Sequence, residues 1–134
     1  MERTAKHFRK RDAILTCLRQ TTVHPSAEWV YNQLKPEYSD LSLGTVYRNL
    51  ALFKEQGLIT SLGTVNGVER FDGNTHPHVH FVCNGCDAVI DLPQMLVPET
   101  LSASAEESAD CRVSSCQLTF AGTCRDCNAK LLEV

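Results

Sequence analysis

The chain has 134 residues, of which 43% are hydrophobic and 22% charged, and its formal net charge is −3. It contains no run near the roughly 18 apolar residues of a membrane span, and its N-terminus has no apolar stretch typical of a signal peptide. The charge is uneven, because residues 1–60 hold nine Lys/Arg against six Asp/Glu, whereas residues 61–134 hold four against ten. We therefore expect a basic part that contacts phosphates and an acidic part that binds cations.

Hydrophobic periodicity predicts three helices in the basic part. The first covers about residues 7–19, with Phe8, Ile14, Leu15 and Leu18 near one face. The second follows Ser26 as its N-cap and stops before Pro36. The third follows Ser42 and ends at Gly57, with inward positions Leu43, Val46, Leu50 and Phe53.

Two strand-like runs come next, 58–62 and 68–71, joined through Asn66-Gly67, a strong hairpin signal. Three helices and a hairpin predict a winged helix, whose third helix enters a DNA major groove. We expect four residues of that helix to face outward, Arg48 and Asn49 toward base edges and Thr45 and Tyr47 toward phosphates. The alternative is a solvated helix face or one that contacts another protein.

In the acidic part we predict strands at 79–82 and 88–92, a helix after Pro98 through about Ala109, a strand through 116–120 and a short helix after Cys127. So few strands leave exposed edges, and pairing across a homodimer interface would cover them.

Four cysteines stand in two Cys-x-x-Cys pairs, Cys83/Cys86 and Cys124/Cys127. Two such pairs supply the four thiolates of a closed tetrahedral Zn²⁺ site, which is structural because it leaves no position for a substrate. The alternatives are reduced core cysteines or two disulfides. With seven cysteines and no secretion signal, metal thiolates in a reducing cytoplasm fit better. Cys17 is expected to fill core space, whereas Cys111 and Cys116 are candidate redox thiols.

A histidine-rich run, His76, His78 and His80, precedes the first cysteine pair. Residues two apart on a strand point to the same side, so His78 and His80 can bind one ion together. We expect His76 to belong to the linker rather than to act as a metal ligand. The sequence therefore predicts a second metal site.

Four segments together resemble the ferric uptake regulator family. They are Leu43-Gly44-Thr45-Val46-Tyr47-Arg48-Asn49-Leu50, Glu69-Arg70-Phe71-Asp72, the run from His78 to Cys86, and Cys124-Arg125-Asp126-Cys127. The resemblance spans nearly the whole chain. It implies a dimeric, metal-sensing DNA-binding repressor of α+β class, with a winged helix in 1–73, a hinge in 74–78 and a dimerisation domain with structural zinc in 79–134.

The resemblance also implies a regulatory metal site between the two domains, with ligands at His24, Asp72, His78, His80 and Asp91. Nitrogen and oxygen donors without sulfur suit Fe²⁺ or Mn²⁺. An ion bound by all five would fix the angle between the domains, so that metal selects the shape that binds a palindromic operator in double-stranded DNA.

The peroxide-sensing branch of the family resembles this chain in having Asp, where iron sensors commonly have Glu, at the positions of Asp72 and Asp91. In that branch Fe²⁺ reduces hydrogen peroxide and a ligating histidine, here His24 or His78, is oxidised. Arg48 instead resembles the iron sensors, so a regulator of iron uptake is the alternative within the family. The alternatives of another class are a zinc enzyme, whose motifs His-Glu-x-x-His and His-x-Glu with Pro-Cys-x-x-Cys are missing from the sequence, and a metal-storage protein.

Overall fold

The computed structural model describes residues 2–75, 78–92 and 95–132, with residues 2–8 and 132 described by their backbone alone. The chain divides into two compact units, Met1–Thr75 and His76–Val134. Mixed helices and strands confirm the α+β class. Two residues of the predicted hinge, His76 and Pro77, lie outside the described residues. Within the described ranges, none of the helices has the length and apolarity needed to cross a membrane.

The first unit begins with three helices, α1 (Glu2–Gln20), α2 (Ala27–Leu34) and α3 (Leu43–Glu55). Both predicted N-caps are confirmed, because Ser26 Oγ accepts from the Trp29 N–H and Ser42 Oγ accepts from the Thr45 N–H, each at 3.1 Å. Helix α1 starts five residues earlier than the predicted residue 7. The Phe8 side chain lies outside the described residues.

One hydrophobic core joins these helices to the strands that follow them. It consists of Ile14, Leu18, Ala27, Val30, Leu41, Val46, Leu50, Phe53, Ile59 and Phe71, all buried. Cys17 packs against this core, where burial raises the pKa of its thiol. It is the core-filling cysteine that the sequence predicted.

The wing is the antiparallel hairpin of β1 (Thr60–Val65) and β2 (Val68–Asp72). Asn66 and Gly67 connect the strands with φ angles of 52° and 80°, which confirms the predicted two-residue turn. Strand β1 starts two residues later than predicted, because the Leu58 N–H still donates to the Phe53 carbonyl of the preceding helix at 2.9 Å.

The second unit contains β3 (Val79–Cys83), β4 (Val89–Leu92), α4 (Glu99–Ala109), β5 (Thr119–Gly122) and α5 (Arg125–Leu132). The sheet order is β4-β3-β5, with β3 antiparallel to β4 and parallel to β5.

The last two elements correct the sequence prediction. Strand β5 begins at Thr119 rather than residue 116, because its pairing with β3 starts opposite His80. Helix α5 begins before Cys127 rather than after it, since the Cys124 carbonyl already accepts the Asn128 N–H at 2.8 Å. Cys127 is therefore a helical residue.

Gly73 follows the wing at a point of close backbone contact. A Cβ added there would lie 2.7 Å from the Leu18 carbonyl oxygen, which cannot move without the end of α1. We expect Gly73→Ala to lower the free energy of unfolding by about 1–3 kcal/mol, measured by urea denaturation. The matched control is Gly44→Ala in α3, where the added Cβ meets its nearest atom at 3.5 Å, so that this variant should be neutral or more stable. Equal effects of the two substitutions would contradict the steric argument.

Candidate metal centres and recognition helix

The four cysteines of the two Cys-x-x-Cys pairs come together in the second unit. Cys83 ends β3 and Cys86 lies in the following turn, whereas Cys124 directly precedes α5 and Cys127 lies in its first turn. Their four Sγ atoms all lie within 4.8 Å of one another. All seven cysteines of the chain are free thiols, so the disulfide alternative is wrong for this structure.

The sulfur geometry fits a tetrahedral ion. The Sγ atoms of Cys86 and Cys124 are 3.8 Å apart, and a tetrahedron with Zn–S bonds of about 2.3 Å has edges of about 3.8 Å. Two backbone N–H groups, those of Gly85 and Cys124, donate to Cys83 Sγ at 3.3 Å each. Such N–H donors stabilise a thiolate and orient it toward a metal.

The thiol pKa values also indicate that this cluster needs a cation. Hydrogen bonds from the backbone at Cys124 and Cys86 lower the pKa of the Cys83 thiol to about 6. The neighbouring sulfur atoms of Cys124 and Cys83 raise the pKa of Cys127 to about 12. Like charges this close oppose each other, so four thiolates coexist here only when a divalent ion neutralises them. The residues therefore fit a structural zinc ion. Cys111 and Cys116 are exposed and stand apart from this cluster.

The first unit contributes a histidine–carboxylate pair. His24, in the loop before α2, and Asp72, the last residue of β2, are both buried, with His24 Nε2 3.4 Å from Asp72 Oδ2. The other carboxylate oxygen, Oδ1, accepts the Asn74 N–H at 2.8 Å. We call His24 and Asp72 the wing pair.

The second unit contributes two histidines and a carboxylate. His78 directly precedes β3 rather than lying on it, His80 is its second residue, and Asp91 is the residue of β4 opposite His80. Asp91 Oδ1 lies 3.1 Å from His78 Nε2 and 3.2 Å from His80 Nε2. The centroids of the two imidazole rings are 4.2 Å apart, so these histidines lie side by side as predicted, although only His80 belongs to the strand. We call these three residues the sheet triad.

These donor sets have a specific metal preference. Nitrogen and oxygen ligands at about 2.0–2.2 Å from one ion stand roughly 3.0–3.4 Å from each other, which is the range of the separations in both groups. Without metal, the two separations in the sheet triad also suit N–H···O hydrogen bonds. Two histidines and one carboxylate, as in the sheet triad, are a set typical of non-haem Fe²⁺.

The predicted DNA-reading helix α3 presents Tyr47 and Arg48 to solvent. The prediction that Asn49 faces outward is wrong, because its side chain is buried and its amide Nδ2 donates to the Thr45 carbonyl at 2.8 Å. Thr45 is half-buried, and its Oγ1 accepts from Arg48 Nη2 at 3.1 Å and lies 2.8 Å from Ser42 Oγ. The hydroxyl of Thr45 thus holds Arg48, which leaves Arg48 and Tyr47 as the exposed candidates for DNA contacts.

Sequence reasoning gave no role to Arg70, although this residue contacts the loop that carries His24. A signal was present in the sequence, because Arg70 and Asp72 are two residues apart on one strand and therefore share a face.

Residues 2–121 match the family model of the ferric uptake regulator family. The chain belongs to this family of transcriptional regulators.

Among curated proteins, the chain is similar to the peroxide-responsive repressor PerR of Staphylococcus aureus. The two are 34% identical over 123 residues, which cover 90% of this chain and 81% of the relative. Among solved structures, the Campylobacter jejuni peroxide stress regulator is 27% identical, with a TM-score of 0.76 and coverage of 94% of both chains. The Vibrio cholerae ferric uptake regulator is 29% identical, with a TM-score of 0.64 and coverage of 85% of this chain and 88% of that one.

Proposed function

We propose that this protein is a metal-dependent DNA-binding repressor that senses hydrogen peroxide. The observation that carries the proposal is the chemistry of the wing pair and the sheet triad, which are nitrogen and oxygen donors on either side of residues 74–78. The peroxide-responsive relatives at 34% identity support the same function, as does Asp rather than Glu at positions 72 and 91.

In this proposal His24, Asp72, His78, His80 and Asp91 hold one Fe²⁺ or Mn²⁺ ion. The ion ties the winged helix to the second unit and so fixes the orientation in which DNA is bound. Loss of the ion releases residues 74–78 to act as a hinge. A complete switch of population, from 1:99 to 99:1, requires that the metal prefer the DNA-binding shape by about 5.5 kcal/mol.

The peroxide response follows from the ligands. When bound, Fe²⁺ would supply the reducing chemistry that cleaves the O–O bond of hydrogen peroxide. In the overall balance one imidazole C–H and one H₂O₂ give an oxo-imidazole and one water, so that the ring carbon is oxidised by two electrons and the peroxide reduced by two. His24 and His78 are the proposed sites. An oxidised ring is less basic and therefore a weaker ligand, so the modified His24 or His78 would no longer hold the ion.

The proposed DNA contacts lie on α3. Arg48 reads base edges and Tyr47 contacts a phosphate, while Thr45 supports Arg48 from within the helix. A homodimer would present two such helices to a palindromic operator. Exposed apolar residues of the second unit suit burial against a second copy; they include Ile90, Leu101, Phe120 and Leu131.

A gel-shift titration tests the regulator function. Zinc-loaded protein should bind promoter fragments only when Mn²⁺ or Fe²⁺ is added, and the affinity should fall steeply with salt. Binding that is absent under every metal condition, or equal under all of them, would contradict the proposal.

Arg48→Ala should abolish sequence-selective binding, whereas Asn49→Ala should mainly lower stability, by about 1–2 kcal/mol, because it removes a buried hydrogen-bonding group.

Mass spectrometry tests the peroxide response. After Fe²⁺ loading and brief exposure to hydrogen peroxide, we expect one added oxygen on the peptide that contains His24 or His78. The Mn²⁺-loaded protein is the control and should stay unmodified, because Mn²⁺ does not supply this reducing chemistry. Oxidation confined to cysteines, with release of zinc, would show that the sensor works through thiols instead.

An iron-uptake regulator is the second candidate, and Arg48 favours it by resemblance. The two candidates differ in their response to peroxide. An iron regulator would release DNA when iron is withdrawn, but it would retain DNA when peroxide is added to either the Mn²⁺-loaded or the Fe²⁺-loaded form.

A further inference from the structure

We propose that Arg70 is a positioning residue for the metal ligand His24, and that it couples the wing to metal binding. This inference rests on the proposed function, because it assigns a residue that prepares the regulatory site. Arg70 itself is not a ligand in this proposal. It acts on the backbone of the loop that precedes α2.

The contacts of β2 with this loop carry the inference. The Arg70 guanidinium donates from Nε to the His24 carbonyl and from Nη2 to the Val23 carbonyl, the second at 2.7 Å. The next residue of the strand, Phe71, donates its N–H to the Pro25 carbonyl at 2.9 Å. Three consecutive carbonyls of the loop are therefore held by two consecutive residues of the wing.

The loop needs this support because His24 has an unfavourable backbone conformation. Its φ angle is 54°, in the left-handed region that a residue with a Cβ seldom adopts. In that conformation His24 Nε2 lies 3.4 Å from Asp72 Oδ2. Strain of this kind persists where surrounding contacts enforce it, and the planar fork of Arg70 supplies two of them. Without the fork, the loop would relax and the imidazole would leave Asp72.

Strand β2 thus organises both members of the wing pair. It carries Asp72 itself, and through Arg70 it fixes the partner of Asp72. A shift of the wing, for example on contact with DNA, would be transmitted to His24 through Arg70. Metal affinity and wing position are then linked, and each affects the other equally.

The test compares Mn²⁺ affinity in wild-type protein, Arg70→Met and Arg70→Lys. Residues that orient metal ligands typically contribute about 10–100-fold in affinity, so we expect a loss of that size for Arg70→Met. Arg70→Lys should recover only part of it, because lysine retains the charge but lacks the fork. The matched control is Glu69→Gln, the neighbouring position, whose carboxylate instead contacts Lys54 and Ser61 at 3.3 and 2.6 Å. It should bind Mn²⁺ as the wild type does.

Amide hydrogen exchange of the metal-free proteins gives a second measurement. The Phe71 amide should exchange faster in Arg70→Met than in Glu69→Gln, while the zinc content stays unchanged. Wild-type Mn²⁺ affinity in Arg70→Met, or an equal loss in Glu69→Gln, would overturn the role of Arg70. Failure of the wild-type protein to bind Mn²⁺ at all would instead overturn the proposed function.

Discussion

Cys127→Ser is expected to remove the zinc from the protein and to unfold the second unit. The physical reason is the small core of that unit. Among its described residues, the buried hydrophobic side chains are Val79, Cys83 and Val89 alone, and one of these is a proposed zinc ligand. The described part of the first unit, by contrast, buries ten hydrophobic residues in a continuous core. A unit with so little buried apolar surface depends on metal or on a partner subunit.

The expected magnitude is large. Structural zinc contributes about 10 kcal/mol or more in small zinc modules, which is comparable to the whole stability of a domain, about 5–15 kcal/mol. A serine hydroxyl does not ionise at neutral pH, so it cannot replace the thiolate. Metal analysis should therefore find no tightly bound zinc in Cys127→Ser. Calorimetry should show that the unfolding transition of the second unit is lost, while that of the winged helix remains.

The chain provides its own controls for this experiment. Cys111 and Cys116 are exposed thiols of the same unit, outside the four-sulfur cluster. Cys111→Ser and Cys116→Ser should keep the zinc and the wild-type unfolding transitions. A Cys127→Ser protein that retained zinc, or a Cys116→Ser protein that lost it, would show that the ligand set is different from the proposed one.

The features that the sequence predicted well are those determined by local chemistry. Ser26 and Ser42 cap helices because their hydroxyls reach N–H groups three residues ahead. Asn66-Gly67 forms the wing turn because both residues tolerate a positive φ. The spacing of the cysteines likewise predicted their convergence. In each case the relevant partner lies within a few residues or belongs to a repeated motif.

The features that the sequence did not predict depend on contacts made elsewhere. Asn49 occupies a polar position on α3, but its amide donates to the carbonyl four residues earlier and is buried. Hydrophobic periodicity does not distinguish such a buried polar residue from an exposed one. Strand β5 is shifted because its start is determined by pairing with β3, about 40 positions earlier in the chain. The role of Arg70 requires contact across 46 residues. Such partners are fixed only by the tertiary fold.

Asp72→Asn and Asp91→Asn are each expected to abolish tight binding of the regulatory metal, although the two residues belong to different units. Both substitutions keep the shape of the side chain and remove its charge. Residues that merely orient a ligand contribute about 10–100-fold in metal affinity, so loss of a direct ligand should cost on the order of 100-fold or more. Each variant should therefore need at least that much more Mn²⁺ for half-maximal operator binding.

The stoichiometry of metal binding decides whether one ion joins the wing pair and the sheet triad. If one ion uses both, the wild-type protein binds one tight Mn²⁺ per chain beyond its zinc, and either substitution removes that same ion, as paramagnetic resonance titration would detect. The double variant should then lose less Mn²⁺ affinity than the two single losses combined, because either substitution alone already removes the ion. If the two groups bind metal separately, each single variant keeps one ion. The free-energy changes of the two substitutions should then add within about 0.5 kcal/mol in the double variant. Only the first result lets metal act as a link between the DNA-reading helix and the rest of the protein, since an ion confined to one unit has no preference for either orientation.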